Sequence, residues 1–319
     1  MTLTERVKEV ALLSGLDLVG IASADAFEGY RWGHLIMRNP KLSMPEAKSL
    51  VIVAVCDLKK LREPQGTERR GRVARSYAVG HEYTLVDELL PIKELLEGYG
   101  HEARISPNRL AQSMIPLKLA AVRAGLGWQG KHSVVITPEY GSWVTFGGLV
   151  TDAPLDNDRP ISDKDCGRCT ACIDNCPMGA IEAPYIVRMS TCLDRILDTP
   201  GTIADDIKER IGNRIVSCDT CLEVCPHSAR ILKKAKLTGS FPFEFDLLEL
   251  LNLDEEQFRS IFGKLNWSMD FVTFKRNVIL ALGNSSDKSV SKDLERYTFH
   301  ESEVLRDISN WALKKLRCA

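Results

Sequence analysis

Cys166-Gly-Arg-Cys169-Thr-Ala-Cys172-Ile-Asp-Asn-Cys176-Pro177, followed by Cys192 and then Cys218-Asp-Thr-Cys221-Leu-Glu-Val-Cys225-Pro226, decides how this chain is read. Eight of its ten cysteines lie in this stretch; only Cys56 and Cys318 lie elsewhere. The first group has the spacing C-x2-C-x2-C-x3-C-P, and the second is a variant whose first cysteine is displaced upstream to Cys192. Two-residue gaps let successive thiolates wrap one face of a cubane and turn backbone N–H groups toward the sulfurs. The fourth cysteine of each run lies a turn further on and ligates the other cluster, and the proline after it offers no N–H. This spacing assigns Cys166, Cys169, Cys172 and Cys225 to one [4Fe–4S] cluster, and Cys176, Cys192, Cys218 and Cys221 to a second. Structural zinc uses two separated C-x2-C pairs, which a three-cysteine run ending in Cys-Pro does not match. Two adjacent clusters make an electron wire, so redox work is expected.

The rest of the chain is that of an ordinary globular protein. With 44% hydrophobic and 27% charged residues, extended disorder is excluded. No apolar run approaches the roughly 20 residues of a membrane helix, and the N-terminus, MTLTERVKEV, lacks an apolar signal core. A cytoplasmic monomer with no membrane partner is expected, and in that reducing compartment clustered cysteines read as metal ligands rather than disulfides. Lys and Arg number 42 against 43 Asp and Glu, which excludes a wholly basic nucleic-acid coat but leaves room for local patches.

Three regions are expected, in an α+β or α/β fold class. Residues 1–158 form an N-terminal α/β domain. Thr4–Leu13, His81–Tyr99 (broken at Pro91) and Arg109–Ala124 (capped at Gly125) have helical spacing, whereas Leu18–Ala22, Ser49–Val55, Glu102–Ser106, Ser133–Thr137 and Trp143–Val150 read as strands. The alternation predicts a sheet with a cleft at one end. Residues 159–238 form a bacterial ferredoxin-like two-cluster module. Residues 239–319 are helical, with Phe245–Leu251, Glu255–Phe262, Phe274–Leu282 and Ser302–Leu316 as helices, the last pair like one unit of a helical repeat. Cys56, ending a strand, reads as core, and Cys318 as exposed.

Ala124-Gly-Leu-Gly-Trp-Gln-Gly-Lys-His-Ser133, Glu139-Tyr-Gly-Ser-Trp143, Leu149-Val-Thr-Asp152, and Gly212-Asn-Arg214 before Cys218 together resemble the epoxyqueuosine reductase family. Arg75-Ser-Tyr-Ala-Val-Gly-His-Glu-Tyr83 is similar to a motif nearer that family's N-terminus, and Arg276-Asn-Val-Ile-Leu-Ala-Leu-Gly-Asn284 with Trp311-Ala-Leu313 to its C-terminal HEAT-like repeat. The resemblance implies a cobalamin-binding α/β domain, the two-cluster module and a HEAT-like unit. It implies a base-off corrinoid, reduced through the clusters, that helps remove the epoxide oxygen of epoxyqueuosine in tRNA. A low-potential donor such as ferredoxin or flavodoxin would supply the electrons. Reductive dehalogenases share the corrinoid-plus-two-clusters layout.

The glycine-rich loop admits two readings. Gly127, Trp128 and Gly130 bring backbone close to a flat partner, and Lys131 and His132 supply donors for corrin amides or the nucleotide-tail phosphate. Alternatively the loop is a tight turn of the fold with Trp128 as core. Arg214 and Ser217 could face the same cofactor, and Arg214 could equally face solvent or tRNA. The chain departs from the family in one respect. Family members carry an Asp, the proton donor, upstream of the Ala-Gly-Leu-Gly-Trp block, whereas no carboxylate occurs here from Ile105 to Arg123. His132 and Tyr140, with Glu139, His81 and Tyr83, are the chemical substitutes. The departure keeps two alternatives open: a corrinoid-dependent reductase of another substrate, or a non-catalytic two-cluster electron carrier. Two basic runs offer RNA contact, one from Lys59 to Arg62 and Arg69 to Arg75, the other Arg230, Lys233, Lys234 and Lys236. Lys275 and Arg276, at a helix start, oppose the helix dipole and need a specific structural partner.

Overall fold

A computed structural model describes residues 1–28, 38–64, 69–80, 85–106, 113–262 and 269–318. The chain gathers into two compact units that interleave along the sequence. The first is Met1–Asp57, Tyr83–Cys169 and Pro226–Lys234; the second is Leu58–Glu82, Thr170–Cys225 and Ala235–Ala319. These units do not follow a linear division after residues 158 and 238. Strand pairing explains part of the interleaving. Arg70–Val73 runs parallel to Arg214–Val216 and antiparallel to Glu244–Asp246, which ties the excursion 58–82 to the second unit.

The first unit is built on Ser49–Cys56, a strand buried at every residue. Its sheet has the order Leu18–Ser23, Ser49–Cys56, Val144–Thr151, Ala103–Ser106. Val51, Val53 and Val55 pack with residues of the helices Leu3–Leu13 and Val86–Gly98, while Leu50 and Ile52 pack on the other face with Ala120 and Ala121 of the helix Leu117–Arg123. Cover on both faces is why the run SLVIVAVC is apolar throughout rather than alternating. Each such side chain contributes about 1.5–3 kcal/mol by leaving water. Every pairing in this sheet is antiparallel. Of the two fold classes expected, α+β is the one this antiparallel sheet matches. The long connections between strands allow return in either direction, so alternation of elements did not reveal it.

Among the described residues of the helix expected over Arg109–Ala124, the helix runs over Leu117–Arg123. Pro116 precedes it and biases the residue before it toward extended backbone; residues 107–112 lie outside the described ones. Its end is as expected. Gly125 has φ +72°, Leu126 N–H bonds Ala121 O at 2.9 Å and Gly125 N–H bonds Val122 O at 3.1 Å. This double closure requires a left-handed residue just past the helix.

In the second unit, every residue of the helix Phe271–Asn284 from Thr273 to Gly283 is buried. Lys275 and Arg276 find the specific partners their position demands. Lys275 Nζ donates to the carbonyls of Leu250, Leu251 and Leu253, at the end of the helix Leu247–Asn252. Arg276 donates to the carbonyls of Ile196, Leu197, Thr199 and Gly201, at the end of the helix Leu193–Asp198. Orphan carbonyls carrying the negative end of a helix dipole are the natural acceptors for buried cations. The helix Glu303–Cys318 packs alongside Phe271–Asn284. Cys56 is buried and Cys318 exposed, as expected. Among the described residues no helix is long and apolar enough to cross a membrane.

Candidate metal centre and cofactor loop

Cys176, Cys192, Cys218 and Cys221 all belong to the second unit. Burial pushes the Cys192 thiol up to about 11, and the charges of Asp194, Cys218 and Cys176 add to the effect. Burial likewise pushes Cys221 up, reinforced by Asp219, Cys218, Cys192 and Cys172. All of these cysteines are free of disulfides. Thiols that resist ionisation become thiolates against the charge of a metal, and four sulfur donors are the chemistry that an iron–sulfur cluster takes. Among the described residues the side chains are not drawn together into a closed single-ion site. Ala180 N–H points at Cys176 Sγ at 3.2 Å, the backbone-to-sulfur contact such a site uses. The two runs close alike. Cys176 N–H bonds Ile173 O and Cys225 N–H bonds Leu222 O, each at 3.3 Å, immediately before a proline.

The second run rests on a buried polar network. Asp219 is 3% exposed, and its carboxylate accepts from the N–H groups of Arg75 and Ser76 and from the Ser76 hydroxyl. Burial raises its pKa against the lowering effect of those Ser76 bonds. Arg72 and Arg75 both pair with Glu223. Arg214 donates to Ile211 O at 2.9 Å and to Thr220 Oγ1 at 2.8 Å, and Thr220 Oγ1 lies 3.3 Å from Cys218 Sγ. Because the Thr220 oxygen accepts from Arg214, its own proton is free to donate to the sulfur. Ser217, at φ 55°, donates to Asp194. Arg214 and Ser217 thus support the backbone around the cysteine run.

The glycine-rich loop lies in the first unit. Trp128–Gln129 pairs antiparallel with Val135–Ile136. A Cβ on Gly127 would meet Ile136 O at 2.3 Å, and one on Gly130 would meet His132 Cε1 at 2.6 Å. Gly127 is thus required by the backbone packing itself, whereas a side chain at Gly130 would have to displace the His132 ring and Ile136. Lys131 is the link to the first cysteine run, since its Nζ donates to Gly167 O at 2.7 Å and Cys169 O at 2.9 Å. Its ammonium holds the Cys166–Cys169 turn. His132 is 4% exposed, and burial, then the charge of Lys118, lowers its pKa to about 4. Its Nδ1 accepts from Val134 N–H, so the neutral ring carries its proton on Nε2. That N–H and the indole N–H of Trp128 are both buried with no acceptor among the described residues. Unmet buried donors are costly; an acceptor-rich ligand such as a corrin with its amides and phosphate satisfies them, so the loop fits that group.

The remaining proton-donor candidates divide. His132, neutral at pH 7, is a hydrogen-bond donor rather than a proton source. Tyr140 is half-buried, with its backbone N–H on Thr137 Oγ1, and Glu139 is exposed. His81 and Tyr83 lie outside the described residues. Sequence reasoning missed Asp219, Thr220 and Glu223. The polar pair between Cys218 and Cys221 was the available signal, but its partners lie far away in the chain.

Residues 165–228 match the 4Fe-4S double cluster binding domain family. The chain is 31% identical, over 346 aligned positions, to the epoxyqueuosine reductase of Bacillus subtilis (strain 168), covering 98% of this chain and 88% of the relative. Its structure resembles that of epoxyqueuosine reductase with a tRNA-Tyr epoxyqueuosine-modified tRNA stem loop, with TM-score 0.84, 28% identity, and 98% and 90% of the two chains covered. The same TM-score, identity and coverage hold for epoxyqueuosine reductase from Bacillus subtilis with its aspartate catalytic loop swung out of the active site. With a relative this similar spanning nearly its whole length, and a double-cluster match over its cysteine runs, this protein is an oxidoreductase of the epoxyqueuosine reductase family.

Proposed function

We propose that this protein reduces epoxyqueuosine to queuosine in tRNA, with two [4Fe–4S] clusters and a cobalamin. The observation that carries the reading is Lys131, which ties the loop bearing Trp128 and His132 directly to the Cys166–Cys169 turn. Cys166, Cys169, Cys172 and Cys225 are assigned to one cluster, and Cys176, Cys192, Cys218 and Cys221 to the other. When bound, the clusters supply single electrons and the corrinoid a low-valent cobalt at the epoxide. Trp128 Nε1–H and His132 Nε2–H would bind and orient the corrinoid. The reading includes residues 1–158 as the corrinoid region, 159–238 as the cluster region and 239–319 as a HEAT-like unit. It also includes a cytoplasmic monomer served by a ferredoxin or flavodoxin.

A second reading rests on a specific departure. No Asp or Glu occurs from Ile105 to Arg123, and epoxide opening needs a proton at the leaving oxygen. The same cofactors would then serve another substrate. The test is anaerobic purification with iron, sulfide and hydroxocobalamin, followed by incubation with epoxyqueuosine tRNA, a reductant and nucleoside mass spectrometry. About eight irons and one cobalt per chain with queuosine formed is the expected result. Full cofactor loading without queuosine favours the second reading. Clusters without cobalt would overturn both and leave an electron carrier.

A further inference from the structure

The two basic runs have different fates. Arg69 pairs with Asp287, Arg70 with Glu244, and Arg72 and Arg75 with Glu223, all within the second unit. Each of these arginines is engaged by a carboxylate, with Glu223 shared between two. The helix Pro226–Lys234, in the first unit, contains no Asp or Glu, and no carboxylate occurs in the chain between Cys225 and Glu244. Arg230, Lys233 and Lys234 are exposed and form no ion pair among the described residues.

This helix is anchored on its opposite side. Ser228 is fully buried; its Oγ accepts from Ser142 N–H at 3.0 Å, and its carbonyl accepts the Trp143 indole N–H at 3.0 Å. Gly141 packs so closely that a Cβ there would come within 2.7 Å of Ser228 Cα. At about 100° per residue, Arg230, Lys233 and Lys234 project together from the face opposite Ser228. The helix also begins at the cofactor loop, where the His227 ring meets Trp128 edge-on with centroids 5.1 Å apart. Arg230 is three residues further on, about 4.5 Å of helical rise.

We propose that Arg230, Lys233 and Lys234 grip the phosphate backbone of the RNA beside the nucleoside that reacts at the loop. The inference rests on the tRNA reading above and names the surface that serves it. An uncompensated row of cations suits a polyanion with regularly spaced charges, and its position next to Trp128 places those phosphates where a nucleoside presented to the loop must be followed by its backbone. Lys236 lies beyond the helix, in the second unit.

The test is binding of an epoxyqueuosine-modified anticodon stem–loop, measured against salt, with the cluster-loaded protein. The variant Arg230→Gln/Lys233→Gln/Lys234→Gln should bind at least tenfold more weakly, and its slope of log K against log salt should fall by about 2 to 3. The charge-preserving variant Arg230→Lys/Lys233→Arg/Lys234→Arg should keep the slope. Equal iron content in all forms verifies the fold. Unchanged affinity and slope in the neutral variant, with the wild type binding and converting the RNA, would overturn the surface and leave the function standing. No RNA binding by the wild type would overturn both. Unchanged RNA binding with slowed reduction by an acidic flavodoxin would assign the face to the electron donor instead, and overturn the proposal.

Discussion

The turns Cys166–Cys169 and Cys218–Cys221 have the same two-residue spacing and opposite surroundings. The first is exposed at Cys169 and is held by a cation, Lys131, reaching in from the glycine-rich loop to two of its carbonyls. The second encloses a buried carboxylate, Asp219, that holds the backbone of Arg75 and Ser76, and a hydroxyl, Thr220, that reaches a sulfur. Equal ligand spacing therefore says nothing about the field each cluster feels. Redox poise depends on hydrogen bonds to sulfur and nearby charge, and these come from residues distant in the chain.

Four outcomes probe this contrast. The largest is ligand removal: Cys218→Ser should lose about four of roughly eight irons, measured by iron analysis after anaerobic reconstitution. Full iron retention would break the assignment of Cys218 as a ligand. Next, Asp219→Ala should lower unfolding stability by about 2–4 kcal/mol, because it strands buried donors. Asp165→Ala beside the first turn removes one exposed contact to Gly167 N–H and should cost at most about 1 kcal/mol. Denaturant unfolding of the two variants tests the contrast directly, and equal losses would sink it.

The loop that supports the first turn also carries an acid-sensitive group. The His132 pKa falls from 6.5 to about 4 on folding, so the unfolded chain binds more protons between those values. Its stabilising contribution is complete above pH 6.5 and is lost as pH falls toward 4, by up to about 3 kcal/mol. His132→Gln should flatten that part of the stability profile; an unaltered profile would remove His132 as its source. The smallest effect is Thr220→Val. Losing one hydrogen bond of about 1 kcal/mol to Cys218 should lower the potential of its cluster by about 40 mV. A redox titration followed by electron paramagnetic resonance reads this, and Thr220→Ser should restore it.

Much of the architecture was legible. SLVIVAVC, with its β-branched residues, marked the central strand, and Gly125 marked a helix end because a left-handed residue is required there. Lys275 and Arg276 were legible as cations in need of partners, though not which partners. The strand directions were hidden, since connections of this length permit either. In the site, the cysteine runs were legible as a double-cluster region, while the bonds of Lys131 and Arg214 to the cysteine turns were not. Their charge announced a partner, but not whether that partner was a ligand or a carbonyl of the chain.

The sequence by itself marked the double-cluster region, because coordination demands particular residues at short, local spacings. It also determined the cores of the strands and most helices, because burial imposes periodicity on neighbouring residues. Only the tertiary structure decided that Arg69, Arg70, Arg72 and Arg75 are engaged by carboxylates while Arg230, Lys233 and Lys234 stay exposed, and that Asp219 is buried. Charge in a sequence is a count, whereas its availability depends on which distant carboxylates, carbonyls and hydroxyls the fold brings within hydrogen-bonding distance.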